Sequence, residues 1–213
     1  GTPVYKYFKP DYHISKQGLQ PVRGSTRPLI VGMDLGLTPA AVVGQMDSRG
    51  RMLVLGEAVG FDMGVQRFIR TKLKPLLNEK FSGMKVQVVC DPAGKQRQQG
   101  DEKSTVSLIE AEGLSVIPAS TNAIAARLNA VDAYLMRNTD GDAAFLLDPS
   151  CTSLKAAMMG GYRFHPKTGN IEKSKHSHVA EALQYLALHI NDFAGSVPIV
   201  AKPVQRVSAA SWT

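Results

Sequence analysis

From Leu29 onward the chain alternates between short, dense apolar runs and amphipathic stretches of helical period. Leu29-Ile-Val-Gly-Met-Asp34, Ala40-Ala-Val-Val-Gly-Gln45 and Arg51-Met-Leu-Val-Leu-Gly-Glu57 predict three strands, with Asp47-Ser-Arg-Gly50 turning the second into the third. Runs of this length bounded by Gly and Asp are strand signals, and three in succession form a meander. Between 64 and 79, Val65, Phe68, Ile69, Leu73, Leu76 and Leu77 recur at the spacing of an amphipathic helix. Val86-Gln-Val-Val-Cys-Asp91 then predicts a strand buried on both faces whose C-terminal end opens at an acid.

The second half continues the alternation. A helix over 103–112 leads through Gly113 to the strand Ser115-Val-Ile-Pro118, and a helix over 123–137 carries Ile124, Leu128, Val131 and Leu135 on one face. The Asp140-Gly141 turn and the strand Ala144-Phe-Leu-Leu147 follow, then a short helix within 150–159 broken by Gly160-Gly161. Residues 161–175 read as an extended excursion with a turn at Pro166 to Gly169, and 178–192 as the last helix. Strands first in a meander and later alternating with helices give an α/β fold, a mixed sheet of five or more strands with helices on both faces. The ribonuclease-H-like fold has this order of elements. Residues 1–28 lack periodicity and read as a linker or N-terminal arm, 29–194 as the domain, and 195–213 as a flexible tail.

Composition narrows the class of protein. The 213 residues suffice to bury a core without disulfides or structural metal. No apolar run approaches the ~20 residues that span a bilayer, so no membrane partner is expected. Cys90 and Cys151, each beside apolar residues, read as packing side chains. Two cysteines and no leader-like start fit an intracellular, reducing setting. The formal charge of +7 suits a polyanionic partner, because lysines and arginines that neutralise phosphates release condensed counterions.

The candidate chemistry lies where apolar strands end in acids. Asp34 ends the first strand and Asp91 the fourth. If the two strands are neighbours, about 4.8 Å apart, both carboxylates can converge on one divalent cation and escape the cost of unpaired burial. Hydrolysis of a phosphodiester by two metal ions uses such a pair. The last helix offers a third contribution: His178 and Glu181 are three residues apart and share a face, with Tyr185 one turn on, while Val179, Leu183, Leu186 and Ile190 point to the sheet. Ser177 reads as the N-cap, which leaves His178 a neutral, metal-binding ring at the helix N-terminus. Each acid alone could instead shape a turn, and Glu181 could merely complement the helix dipole. His176 reads as solvated, and Glu57, at the end of the third strand, as a surface acid at the strand's edge or as a further acid near the site. Lys95, Arg97 and Lys103 are candidate DNA-phosphate contacts, or a solvated loop.

Over about 29–190 the chain resembles the nuclease domain of tailed-phage terminase large subunits. The resemblance rests on Gly32-Met-Asp-Leu-Gly36, Asp91-Pro-Ala-Gly94, Ile117-Pro-Ala-Ser-Thr-Asn-Ala123 with Arg127-Leu-Asn-Ala-Val131, Asp148-Pro-Ser-Cys-Thr-Ser-Leu154 with Gly160-Gly-Tyr-Arg163, and His176-Ser-His-Val-Ala-Glu-Ala-Leu-Gln-Tyr185, in family order. It implies a ribonuclease-H-like endonuclease that cuts concatemeric double-stranded viral DNA during packaging, with Asp34 and Asp91 holding Mg²⁺ or Mn²⁺. It also implies, as partners of the full protein, an N-terminal ATPase domain, a terminase small subunit and the portal of the procapsid, in the host-cell cytoplasm. The family's usual helix acid is replaced, with His178 at the aligned position and Glu181 at the Asp-Ala-Leu step. Fewer carboxylates around two ions favour Mn²⁺ over Mg²⁺. No Gly-x-x-x-x-Gly-Lys-Ser/Thr loop is present, so no nucleotide is expected in this domain.

Other readings use the same residues. Asp34-Leu-Gly-Leu-Thr38 resembles the phosphate-binding turn of actin-like phosphotransferases, which however need a second domain and a second glycine-rich loop. A structure-specific resolvase also pairs strand acids with a helix residue. A non-catalytic DNA-binding or docking module, its acids structural, is the remaining alternative.

Overall fold

The computed structural model describes residues 1–24, 26–36, 38–95, 104–193 and 202–203. A short helix α1 (Pro10–His13) precedes the meander β1 (Leu29–Asp34), β2 (Ala40–Met46) and β3 (Met52–Val59). The helical stretch that follows is α2 (Val65–Phe68) and α3 (Lys74–Lys80), joined by a π-helical turn at Ile69–Leu73. Then come β4 (Lys85–Cys90), α4 (Thr105–Ala111), β5 (Ser115–Pro118), α5 (Ile124–Leu135), the two-residue pair β6 (Asn138–Thr139) and β7 (Asp142–Ala143), and β8 (Phe145–Leu147). α6 (Thr152–Ala156), a π-helical turn (Ala157–Gly161), α7 (Ser177–Phe193) and β9 (Lys202–Pro203) complete the order.

The sheet runs β5-β4-β1-β2-β3-β8, with β9 beside the start of β4. β1 and β2, and β2 and β3, are antiparallel, whereas β4 is parallel to β1 and to β5, and β8 is parallel to β3. This is the expected mixed α/β sheet with helices on both faces. One face packs Val42, Val54 and Phe145 against α5 and α7 through Val131, Leu183 and Leu186. The other packs Val31, Met33, Val43 and Val88 against Phe68, Ile69, Leu73, Leu77 and Ile109. Central strands buried on both faces are the reason that β1, β2 and β4 read as continuous apolar runs. Each fully buried leucine of this kind contributes about 2 kcal/mol.

Two glycines set how closely α7 approaches. A Cβ on Gly32 would collide with the carbonyl oxygen of Ala182 and crowd the backbone nitrogen of Leu186, and one on Gly44 would meet the Leu186 side chain. The missing side chains let the helix backbone rest on β1, which brings the N-terminal turn of α7 to the end of that strand. Gly44 also follows the irregularity in the β2–β3 pairing at Val43/Gly44.

The N-terminal segment lies against the domain. Val4, Tyr5, Phe8 and His13 are buried in the α5/α7 core, and the Ser15 N–H donates to the Leu147 carbonyl at 2.9 Å. Cys90 and Cys151 are free and buried, as packing residues are. Among the described residues, no helix is long and apolar enough to cross a membrane. Of the tail over 195–213, only residues 202 and 203 are described.

Candidate metal centre

The parallel register of β1 and β4 sets Met33 opposite Cys90. The next residue on each strand is an acid, so Asp34 and Asp91 stand side by side at the C-terminal edge of the sheet. α7, seated on Gly32, brings His178, Glu181 and Tyr185 over the same edge. His178 Nδ1 lies 2.8 Å from Asp34 Oδ2. The Tyr185 hydroxyl donates to Asp91 Oδ2 at 3.1 Å, and the Ala93 N–H donates to Asp91 Oδ1 at 2.9 Å, so that carboxylate is held through both oxygens.

Charge is concentrated here, and the carboxylates of Asp34 and Glu181 are largely buried. The Asp34 side chain is only 14% exposed. Burial first, and the facing Glu181 carboxylate second, push its pKa up to about 6, against the favourable pull of His178. Burial is also the main reason that the Tyr185 hydroxyl titrates far above its ordinary value, which keeps it a donor to Asp91. Lys173, on the excursion before α7, donates to Glu181 Oε1 at 2.7 Å, and that bond raises the lysine's own pKa. The ammonium thus supplies a positive charge beside two carboxylates.

Asp34, Asp91, Glu181 and His178 are three carboxylates and an imidazole, a donor set suited to a divalent cation. A cation among them would remove the desolvation and repulsion that raise Asp34. As the side chains lie, Asp34 is turned to His178, Glu181 to Lys173 and Asp91 to Tyr185. Among the described residues no three His, Cys, Asp or Glu side chains converge on a point that would hold a metal ion.

Several sequence expectations need correction. α7 begins at Ser177 itself, and the Ser177 hydroxyl is spent on the preceding turn, donating to the Glu172 carbonyl and accepting from the Ser174 N–H. It is not the cap that leaves His178 at the first position. Glu57, expected at the surface at the end of its strand, is half-buried, and both its oxygens accept N–H groups of Ser153 and Leu154 at the start of α6. His176, expected to be solvated, is half-buried with its ring against Gly161. Arg97 and Lys103 lie outside the described residues, as does the side chain of Lys95, whose backbone closes the 3-10 turn Pro92–Lys95.

The sequence reading missed Lys173, which sits in a segment without periodicity, and gave no role to Arg127 or Gln184. Arg127 donates to Gln184 Oε1 at 2.7 Å and its guanidinium lies 5.5 Å from the Tyr185 ring centroid. Gln184 lies three residues beyond Glu181, one turn along α7, and that spacing was the available signal for it.

No protein-family model matches this sequence, and no curated protein matches it. Solved structures do match. The P22 large terminase nuclease domain superposes with a TM-score of 0.64 at 14% identity, covering 89% of this chain and 92% of that one. The large terminase nuclease domain of Thermus phage P74-26 gives 0.54 at 15% identity, over 93% and 100%. A large terminase from a thermophilic bacteriophage gives 0.60 at 17%, and there 86% of this chain spans 44% of the longer protein. At such identities the likeness establishes the fold: this chain has the ribonuclease-H-like fold of terminase nuclease domains.

Proposed function

We propose that this chain, built on the fold of large terminase nuclease domains, is itself the divalent-metal-dependent endonuclease domain of a tailed-phage terminase large subunit. The observation that carries the reading is the pair Asp34 and Asp91 on adjacent parallel strand ends, with His178 and Glu181 delivered over them by α7. On this reading Asp34, Asp91 and His178 are the metal-holding residues, with Glu181 beside them. Two bound Mg²⁺ or Mn²⁺ ions would activate the attacking water and stabilise the leaving oxygen of the phosphodiester.

The chain's own residues do the rest. Tyr185 and the Ala93 N–H fix the orientation of Asp91, and His178 fixes Asp34. Burial excludes competing water from Asp34. Nothing in this set reads base edges, and contacts to phosphates carry no sequence information, so cutting of double-stranded DNA is largely sequence-independent. Lys95, Arg97 and Lys103 are assigned to the DNA backbone. In the full protein we place an ATPase domain before this one, a terminase small subunit and the portal as partners, and the host cytoplasm as the setting. No nucleotide is assigned to this domain.

A second reading has one observation in its favour. Because Asp34 and Glu181 are each turned to a basic partner, a DNA-binding or docking module with purely structural acids has the same geometry. Supercoiled plasmid incubated in Mn²⁺, in Mg²⁺ and in chelator separates the two. Cleavage that needs metal and disappears in Asp91→Ala supports the nuclease. Binding to DNA without cleavage in any metal supports the docking module.

A further inference from the structure

Beside the acids lies a groove of about 470 Å³ between α5 and the 164–173 excursion, whose wall includes Arg127, Lys173 and Glu181. Lys173 is committed to Glu181. Arg127 differs: among the described residues no carboxylate pairs with it. Its Nε–H donates to the Asn122 carbonyl at 3.1 Å and one terminal N–H to Gln184 Oε1 at 2.7 Å. Both acceptors are neutral, so the charge itself is uncompensated. The guanidinium has five N–H donors, and these two contacts leave others for a ligand.

The support behind Arg127 is rigid. Gln184 is fully buried, and its amide nitrogen donates to the hydroxyl oxygens of Tyr5 at 2.8 Å and Tyr162 at 3.3 Å, both tyrosines being buried themselves. The amide is thereby oriented with its oxygen toward Arg127. Tyr185, the residue that holds Asp91, lies under the guanidinium. A planar cation fixed by neutral acceptors, in a groove wall next to clustered acids, is arranged to bind an anion that lies over those acids.

We propose that Arg127, positioned by Gln184, binds a phosphate of the DNA strand lying in this groove and so seats the duplex over Asp34 and Asp91. The assignment rests on the nuclease reading for its ligand, and it adds a DNA contact besides Lys95, Arg97 and Lys103. Gln184 is a positioning residue and touches no DNA.

The test measures binding of a fluorescent 30-base-pair duplex of arbitrary sequence in chelator, across a salt series, so that cleavage is not required. Arg127→Gln is expected to weaken binding roughly tenfold and to lower the salt slope by about one. Arg127→Lys is expected to keep the slope but recover the affinity only in part, since an ammonium lacks the planar fork. Gln184→Glu keeps the acceptor for Arg127, replaces the amide donor with an oxygen to which the Tyr5 and Tyr162 hydroxyls can donate instead, and adds a compensating charge; it is expected to act like Arg127→Gln even if the latter proves poorly folded. Lys85→Gln, an exposed residue at the far end of β4, controls for net charge and should change binding less than twofold. Folded Arg127→Gln and Gln184→Glu proteins with wild-type affinity and slope would overturn the assignment while leaving the nuclease reading intact. A wild-type domain that does not bind duplex DNA would overturn both.

Discussion

His178 Nδ1 stands 2.8 Å from Asp34 Oδ2, across 144 residues of sequence, at the point where α7 crosses the end of β1. The contact fixes the ring of the one and the carboxylate of the other. Replacement by His178→Ala removes a proposed ligand and frees Asp34 to rotate. We expect metal-dependent plasmid cleavage to fall by roughly a hundredfold, the scale seen when a metal's supporting partners are lost. The thermal midpoint should stay within a few degrees. Cleavage at the wild-type rate in this variant would remove His178 from the site.

A site with one imidazole and a glutamate where the family resemblance implies aspartate should prefer the more nitrogen-tolerant ion. Cleavage is therefore expected to be faster in Mn²⁺ than in Mg²⁺ at matched concentration. Initial rates over a metal titration decide it, and equal or higher activity in Mg²⁺ refutes the preference.

Tyr185→Phe keeps the buried ring and deletes only the hydroxyl that donates to Asp91. Stability should change by about 1 kcal/mol, the net worth of one hydrogen bond. The cleavage rate should fall several-fold, with a shift of the metal titration to higher concentration, because Asp91 loses one of its two anchors. An unchanged titration curve would show that the Ala93 N–H alone orients Asp91.

Gly32→Ala should cost stability out of proportion to one methyl group. The new Cβ meets backbone atoms of Ala182 and Leu186, which cannot swing aside as a side-chain tip can. Overpacking of this kind costs about 3 kcal/mol, and it lifts α7 from β1, so urea unfolding and cleavage should both register it. A midpoint equal to wild type would mean that the helix shifts freely.

His189, buried near the end of α7, has its pKa lowered to about 4, chiefly by burial. The unfolded chain binds this proton near its ordinary value of about 6.5, so the unfolded state holds more protons between those two values. Stability from this residue is full above pH 6.5 and is lost as pH falls toward 4. Between pH 7 and pH 5 this residue alone should remove stability on the order of 2 kcal/mol, so denaturant unfolding of His189→Leu should differ from that of the wild type by about that much between the two pH values, the opposing gain from Asp34 being common to both proteins. Parallel pH profiles for the two proteins would exclude His189 as the cause.

How much of this was legible in the sequence depends on the range of the interaction. Dense apolar runs and 3.6-residue periodicity mark the strands and helices, because burial on one or both faces leaves a local imprint. An acid at the end of such a run is equally local, so Asp34 and Asp91 stood out, and the His178/Glu181 spacing put both on one face of α7. The positions of Glu57 and Ser177 were misread because the start of α6 and the 172–174 turn, which claim them, lie far away in sequence or outside any period. The tertiary structure alone decided that Met33 stands opposite Cys90, that Lys173 closes on Glu181, and that Gln184 turns Arg127 toward the groove. Periodicity says which face of an element is buried. Only strand register and the close approach of α7 over Gly32 say which side chains of separate elements meet.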